Sequence, residues 1–198
     1  APVPGHVKTR LTPVLTPSQA AQLHFVLVAN LWKQLKSLHL HLDAELHTDA
    51  ATDAWPEAAP HRLQTGGDLG ERMLAALQRA LAGGRPKVMI LGADIHGLPD
   101  EQLLSLVNAS ADVVLGPSAD GGYYAIACRR THNAMFQSVR WSTPHALADT
   151  VAGALRCGLT IHVGQPWHDI DIPEDLDRLP AEILHSIREG IDSGNPRV

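Results

Sequence analysis

Two aspartates two residues apart, Asp169 and Asp171, are the residues in this 198-residue chain whose spacing most clearly suggests chemistry. They lie in Trp167-His168-Asp169-Ile170-Asp171-Ile172-Pro173-Glu174-Asp175-Leu176. In an extended segment, alternate side chains share a face, so the two carboxylates point the same way. Like charges held together are unfavourable unless a cation or solvent compensates, which favours a metal. Glu174 and Asp175 follow at a helix start after Pro173, where acidic side chains complement the helix dipole.

Three further groups could join them. Ile90-Leu91-Gly92-Ala93-Asp94 carries an apolar run straight into a carboxylate, a position suited to oxygen ligation of a divalent cation or to capping the next turn. The opening loop, Pro2-Val3-Pro4-Gly5-His6-Val7-Lys8-Thr9-Arg10-Leu11, sets two cations two residues apart on a Pro- and Gly-shaped turn. Backbone amides and Thr9 could bind a phosphate chain there while Lys8 and Arg10 offset its charge, although a basic surface turn has the same residues. The spacing is not that of a Walker loop. Gly116-Pro117-Ser118-Ala119-Asp120-Gly121-Gly122-Tyr123-Tyr124 allows close backbone approach and offers tyrosines to a sugar or base; a hairpin turn would look the same.

The surrounding elements alternate in type. Thr16, Pro17 and Gln19 form a capping box that opens a helix to about Ser37, with Leu23, Leu27, Leu31 and Leu35 on its buried stripe. Leu38 to His47 alternates apolar and polar residues and predicts a half-exposed strand, with Leu38, Leu40, Leu42, Ala44 and Leu46 inward. His39, His41, Asp43, Glu45 and His47 then form a solvated row, preferred over a zinc site. Thr48 to Pro60 is a surface connection. Asp68 and Glu71 cap a second helix to Ala82, whose apolar stripe includes Leu69, Met73 and Leu77; Gly83-Gly84 ends it. Strands are expected at Lys87–Leu91 (covered on both faces), Asp112–Leu115, Tyr123–Cys128 and Leu159–Val163. Helices are expected at Pro99–Ala109, Pro144–Arg156, Pro173–Leu179 and Ala181–Glu189. This order predicts a single α/β domain, a mostly parallel, doubly wound sheet with helices on both faces and its site at the carboxyl ends of the strands.

Composition narrows the function classes. A net charge of −5 excludes a general basic footprint for nucleic acid, so any phosphate must be held by a few placed groups. Cys128 and Cys157 are too few for a disulfide framework and read as reduced thiols of a cytoplasmic protein. No apolar stretch approaches a membrane span.

Taken in order, PVPGHVKTRL, GGDLGERM, GADIHGLP, ADGGYY, the Trp141-Ser142-Thr143 segment and DIDIPEDL resemble the motifs of the nucleotide-diphospho-sugar transferase superfamily, with its Rossmann-like GT-A-type fold. They are most similar to a bacterial glycosyltransferase-like family that includes proteins assigned to arsenosugar biosynthesis. The resemblance implies a nucleotide or nucleotide-sugar held by Pro4, Gly5, Lys8, Thr9, Arg10, Gly67 and Asp68. It implies a divalent cation, Mg or Mn, on Asp94, Asp169 and Asp171, with Asp94, Asp171 and Lys8 catalytic. Asp120, Gly121, Gly122, Tyr123 and Trp141 would line a pocket for donor or small-molecule acceptor, with Asp120 a candidate base. The expected reaction is glycosyl transfer from a nucleotide-sugar. The alternatives are nucleotidyl transfer with release of pyrophosphate, and a non-catalytic nucleotide-binding relative. Three departures stand out: His96 replaces a Pro, Ile172 replaces a Thr, and the strand that precedes the PxPG loop in the family is not in this sequence.

Overall fold

The computed structural model describes residues 1–38, 42–55 and 59–190. In chain order the elements are α1 (Pro17–Ser37), β1 (Leu46–Thr48), β2 (His61–Leu63), α2 (Leu69–Ala82), β3 (Val88–Leu91), α3 (Asp100–Asn108), β4 (Val113–Pro117), β5 (Tyr123–Cys128), α4 (Ala146–Arg156), β6 (Ile161–Val163) and α5 (Ala181–Arg188), with 3₁₀ turns at Thr9–Leu11 and Pro173–Arg178. The chain is mixed α/β. It forms two compact units, one from Ala1–Leu63, Ala93–His96 and the chain from Asp169 on, the other from Gln64–Gly92 and Gly97–His168.

The first unit is built on α1. Thr16 Oγ1 accepts from Gln19 N–H at 3.2 Å while Gln19 Oε1 accepts from Thr16 N–H at 2.9 Å, closing the capping box read from the sequence. Leu23 and Leu27 are fully buried, with Leu11, Leu15, Ile170, Leu176, Leu179 and Ile187 around them. Leu31 and Leu35, further along the same stripe, are only half-buried. The alternating strand expected from Leu38 to His47 is shorter than its pattern. Leu38 caps α1, residues 42–45 are irregular with Leu42 exposed, and the strand starts at Leu46; residues 39–41 of that expectation lie outside the described residues. Leu46–Thr48 pairs in parallel with His61–Leu63, a strand the sequence did not announce. All three residues of β2 are exposed, so there is no burial period to read.

The second unit holds a four-stranded sheet in the order β3-β5-β4-β6. β4 and β6 are parallel, and β5 runs antiparallel to both its neighbours, so β3, β4 and β6 share one direction. Every residue of β4 is buried. β3, expected to be covered on both faces, is half-exposed along its length, because it pairs on one side only, with β5. Val113, Leu115, Ile126 and Cys128 face Met73 and Leu77 of α2 and Ala146 and Ala154 of α4. Leu69, expected on that stripe, is 48% exposed because it is the first helical residue, directly after the cap.

A bulge decides where the tyrosines go. Gly116 opposes Ala125 but Pro117 opposes Tyr123, so Tyr124 has no partner of its own and the alternation of β5 shifts by one. Tyr123 therefore joins the face of Ile126 in the core, while Tyr124 turns to the other face and accepts from Gln102 of α3 at 3.0 Å. The Tyr124 ring lies over Gly116, where a Cβ would come within 2.4 Å of it.

Candidate functional site

The opening loop begins as a tight turn. Pro4 and Gly5 are its central pair, Gly5 has φ +81°, and His6 N–H donates to Val3 O at 3.0 Å. Lys8 is also left-handed, at φ 50°, an uncommon conformation for a residue with a Cβ. Such a conformation costs about 1–3 kcal/mol and persists where surroundings hold it. Here the side chain is held. Its ammonium lies 2.6 Å from Asp94 Oδ1 and 3.8 Å from Asp171 Oδ1 and donates to Ile170 O.

The partners are brought there by a small backbone junction. Ile170 N–H donates to Asp94 O at 2.9 Å, and Ile95 and Asp169 form an isolated antiparallel bridge. Ile170 is fully buried in the core of the first unit, which leaves Asp169 and Asp171 on the opposite side of the extended segment. Asp175 Oδ2 accepts from the backbone N–H of both Asp171 and Ile172, fixing the turn that follows.

Exposure separates the charges. The Lys8 side chain is 2% exposed, whereas those of Asp94 and Asp171 are 45% and 39% exposed. Arg10 reaches Asp171 Oδ2 at 2.7 Å with a guanidinium 64% exposed. Of the two cations expected at phosphates, one is turned inward and the other stays open to solvent.

The sequence reading missed His24. Its Nδ1 lies 3.9 Å from Asp94 Oδ1 with the side chain 14% exposed, and its ring meets Trp55 edge-on at 6.1 Å. Burial holds its pKa below the ordinary imidazole value, with Asp94 opposing and Lys8 adding to the shift. A histidine beside Leu23 on a helix gives no sign of this; the fold brings together positions seventy residues apart.

The oxygen-only donor set of Asp94 and Asp171 suits a hard divalent cation. Among the described residues no three His, Cys, Asp or Glu side chains gather closely enough to hold a metal by themselves. A magnesium-type site does not require that, because it commonly takes one or two carboxylates and completes its shell with phosphate oxygens and water. The pair fits the ion.

Thr9 begins the 3₁₀ turn of the first unit, and the candidates from Gly67 to Trp141 lie in the second, in local contacts. Asp68 caps α2, accepting from Glu71 N–H at 2.8 Å, and Gly67 N–H donates to Glu71 Oε2 at 2.7 Å. Asp120 Oδ1 accepts from the Ser118 hydroxyl at 2.5 Å and Gly122 N–H at 2.9 Å, closing the β4–β5 turn. Gly121, at φ +87°, would put a Cβ 2.3 Å from Pro144 O. Tyr123 and Trp141 meet edge-to-face at 6.4 Å against the core. Burial pushes the Tyr123 hydroxyl well above its usual range and the Cys128 thiol up to about 12.

Residues 27–143 match a family described as "Uncharacterized protein conserved in bacteria (DUF2064)". A solved structure from Desulfovibrio desulfuricans G20, provisionally named a nucleotide-diphospho-sugar transferase, superposes with a TM-score of 0.78 at 31% identity, over 99% of this chain and 86% of that one. The chain belongs to the nucleotide-diphospho-sugar transferase superfamily. Membership accounts for the mixed α/β architecture. No curated protein matches the sequence. No helix among the described residues is long and apolar enough to cross a membrane.

Proposed function

We propose that this protein is a metal-dependent transferase that takes a nucleotide-sugar as donor and passes its glycosyl group to a small acceptor. One observation carries the reading: two half-exposed aspartates, Asp94 and Asp171, lie beside an exposed guanidinium, Arg10, in the 3₁₀ turn that follows the Pro-Gly turn. Asp94 and Asp171 would hold a divalent ion, and Arg10, open to solvent beside them, would be available to an anionic diphosphate. A family relative bearing a transferase name supports the same class of ligand.

In this reading Asp94 and Asp171 would hold the divalent ion, with Asp169 two residues away in the chain. When bound, the ion offsets charge that builds on the departing diphosphate. Arg10 orients the phosphate chain by a charge-assisted fork, for which an exposed, planar donor set is suited. The Pro4-Gly5 turn fixes the loop, so Arg10 is held rather than searching. Nucleotidyl transfer to a phosphorylated acceptor would use the same residues and is the second reading.

The products decide between them. The protein is incubated with candidate nucleotide-sugars or nucleoside triphosphates and acceptors, with Mg²⁺ or Mn²⁺ and with chelator. Release of nucleoside diphosphate that requires the metal is the expected result; release of pyrophosphate selects the second reading. Neither product, or product formed equally in chelator, overturns the metal-dependent transferase. The Asp94→Asn protein should lose at least about 100-fold in kcat/KM, the scale of losing a charge-stabilising ligand.

A further inference from the structure

We infer that Lys8 is an internal counter-ion that holds Asp94 and Asp171 together and competes with a divalent ion for them. The inference rests on the reading of this carboxylate pair as the metal site. It departs from the role the sequence assigns Lys8, that of a phosphate contact.

The geometry of Lys8 is that of an internal counter-ion. A buried ammonium is unfavourable unless its charge and its donors are matched. Lys8 meets that condition inside the protein: one carboxylate oxygen at 2.6 Å, a second within ion-pair distance at 3.8 Å, and the carbonyl of Ile170. With the side chain 2% exposed, little of it is left to face an incoming phosphate. The backbone agrees, since the left-handed Lys8 conformation aims the side chain at the junction of residues 94 and 170. Arg10 behaves differently, with one contact to Asp171 and a guanidinium mostly in solvent.

Positive charge between the two carboxylates offsets their repulsion, and Lys8 is the cation that reaches both of them. A divalent ion carries twice that charge and would take the same carboxylates as ligands, so ion and ammonium compete. Binding the ion releases Lys8 from the pair.

The test follows lysine reactivity and needs no turnover. The chain has four lysines, Lys8, Lys33, Lys36 and Lys87, and mass spectrometry resolves reductive methylation at each. Lys33 and Lys36 are exposed on α1 and serve as internal references. In chelator, Lys8 should label at least about 10-fold more slowly than Lys33, as a buried, ion-paired group does. Saturating Mg²⁺ should raise the Lys8 rate by about 10-fold or more and leave Lys33 and Lys36 unchanged. Free Lys8 in chelator, or Lys8 still protected at saturation, overturns the inference.

A second arm uses Mn²⁺ uptake followed by the electron paramagnetic resonance of the free ion. Lys8→Gln should bind Mn²⁺ at least about 10-fold more tightly than the natural protein, because a competing unit charge is gone. It should also melt lower in chelator and recover with Mn²⁺, whereas Lys8→Arg, which keeps the charge, should stay close to the natural protein in Mn²⁺ uptake. A Lys8→Gln protein that binds Mn²⁺ no better than the natural one defeats the inference while leaving the metal site standing. If neither protein binds Mn²⁺, both the inference and the metal site fall; donor binding in chelator then shows whether a metal-free transferase survives.

Discussion

At the scale of single residues, the site is a balance of two acids and two cations with unequal exposure. Lys8 is inside, Arg10 is outside, and Asp94 and Asp171 lie between them in exposure. Substituting Arg10 should therefore affect ligand more than fold. An ion pair this open contributes little to stability, so Arg10→Ala should leave the melting temperature nearly unchanged. The same substitution should weaken donor binding by about 10- to 100-fold, the value of a charge-assisted phosphate contact. Calorimetric titration beside a thermal melt checks both; a large fall in melting temperature with unchanged affinity would reverse the assignment. His24 lies beside Asp94 with its pKa held below the ordinary imidazole value by burial.

At the scale of elements, tight turns and caps carry the positioning. The β4–β5 turn is held by Asp120 within and by Leu147 N–H donating to Gly121 O at 3.0 Å, which ties it to the start of α4. Gly121 needs both its positive φ and its missing Cβ. Gly121→Ala should cost more than about 2 kcal/mol, read as a lower urea midpoint with unchanged slope. Thr16→Ala removes half of a capping box and should cost about 1 kcal/mol by the same measurement. Lys87 is an element-scale device that the sequence does not advertise. Its ammonium donates to the carbonyls of Leu106, Val107 and Ala109 at 2.7, 2.7 and 2.8 Å, satisfying the open end of α3.

At the scale of the molecule, acid stability tests how the second sheet is tied. Asp112 Oδ2 accepts from Thr160 N–H and from its hydroxyl, both at 2.9 Å, joining the start of β4 to the residue before β6. Those bonds, with Arg130 beside the carboxylate, hold the Asp112 pKa below the usual carboxylate value. Asp149 is likewise lowered, by a bidentate pairing with Arg140 at 2.8 and 2.9 Å. A carboxylate with a depressed folded pKa stabilises above its unfolded value and loses that contribution as pH falls through the folded one. Melting temperature should accordingly fall below about pH 4, and Asp112→Asn should melt lower at pH 7 but lose less on acidification. An unchanged acid limb in the Asn protein would show that the tie is not what titrates.

Much of the fold was legible because it is written in local patterns. The capping box at Thr16 and Gln19, the cap at Asp68, the span of β5 and the alternation of helices with strands all follow from near neighbours in the chain. What sequence could not supply is anything set by contacts between distant residues: the exposed strand β2, the edge position of β3, the bulge that puts Tyr123 rather than Tyr124 on the face of Ile126. The same holds at the site. Lys8 and Arg10 are two residues apart and equally charged, and only the packing of a left-handed turn against Asp94 and Ile170 makes one an internal counter-ion and leaves the other facing solvent.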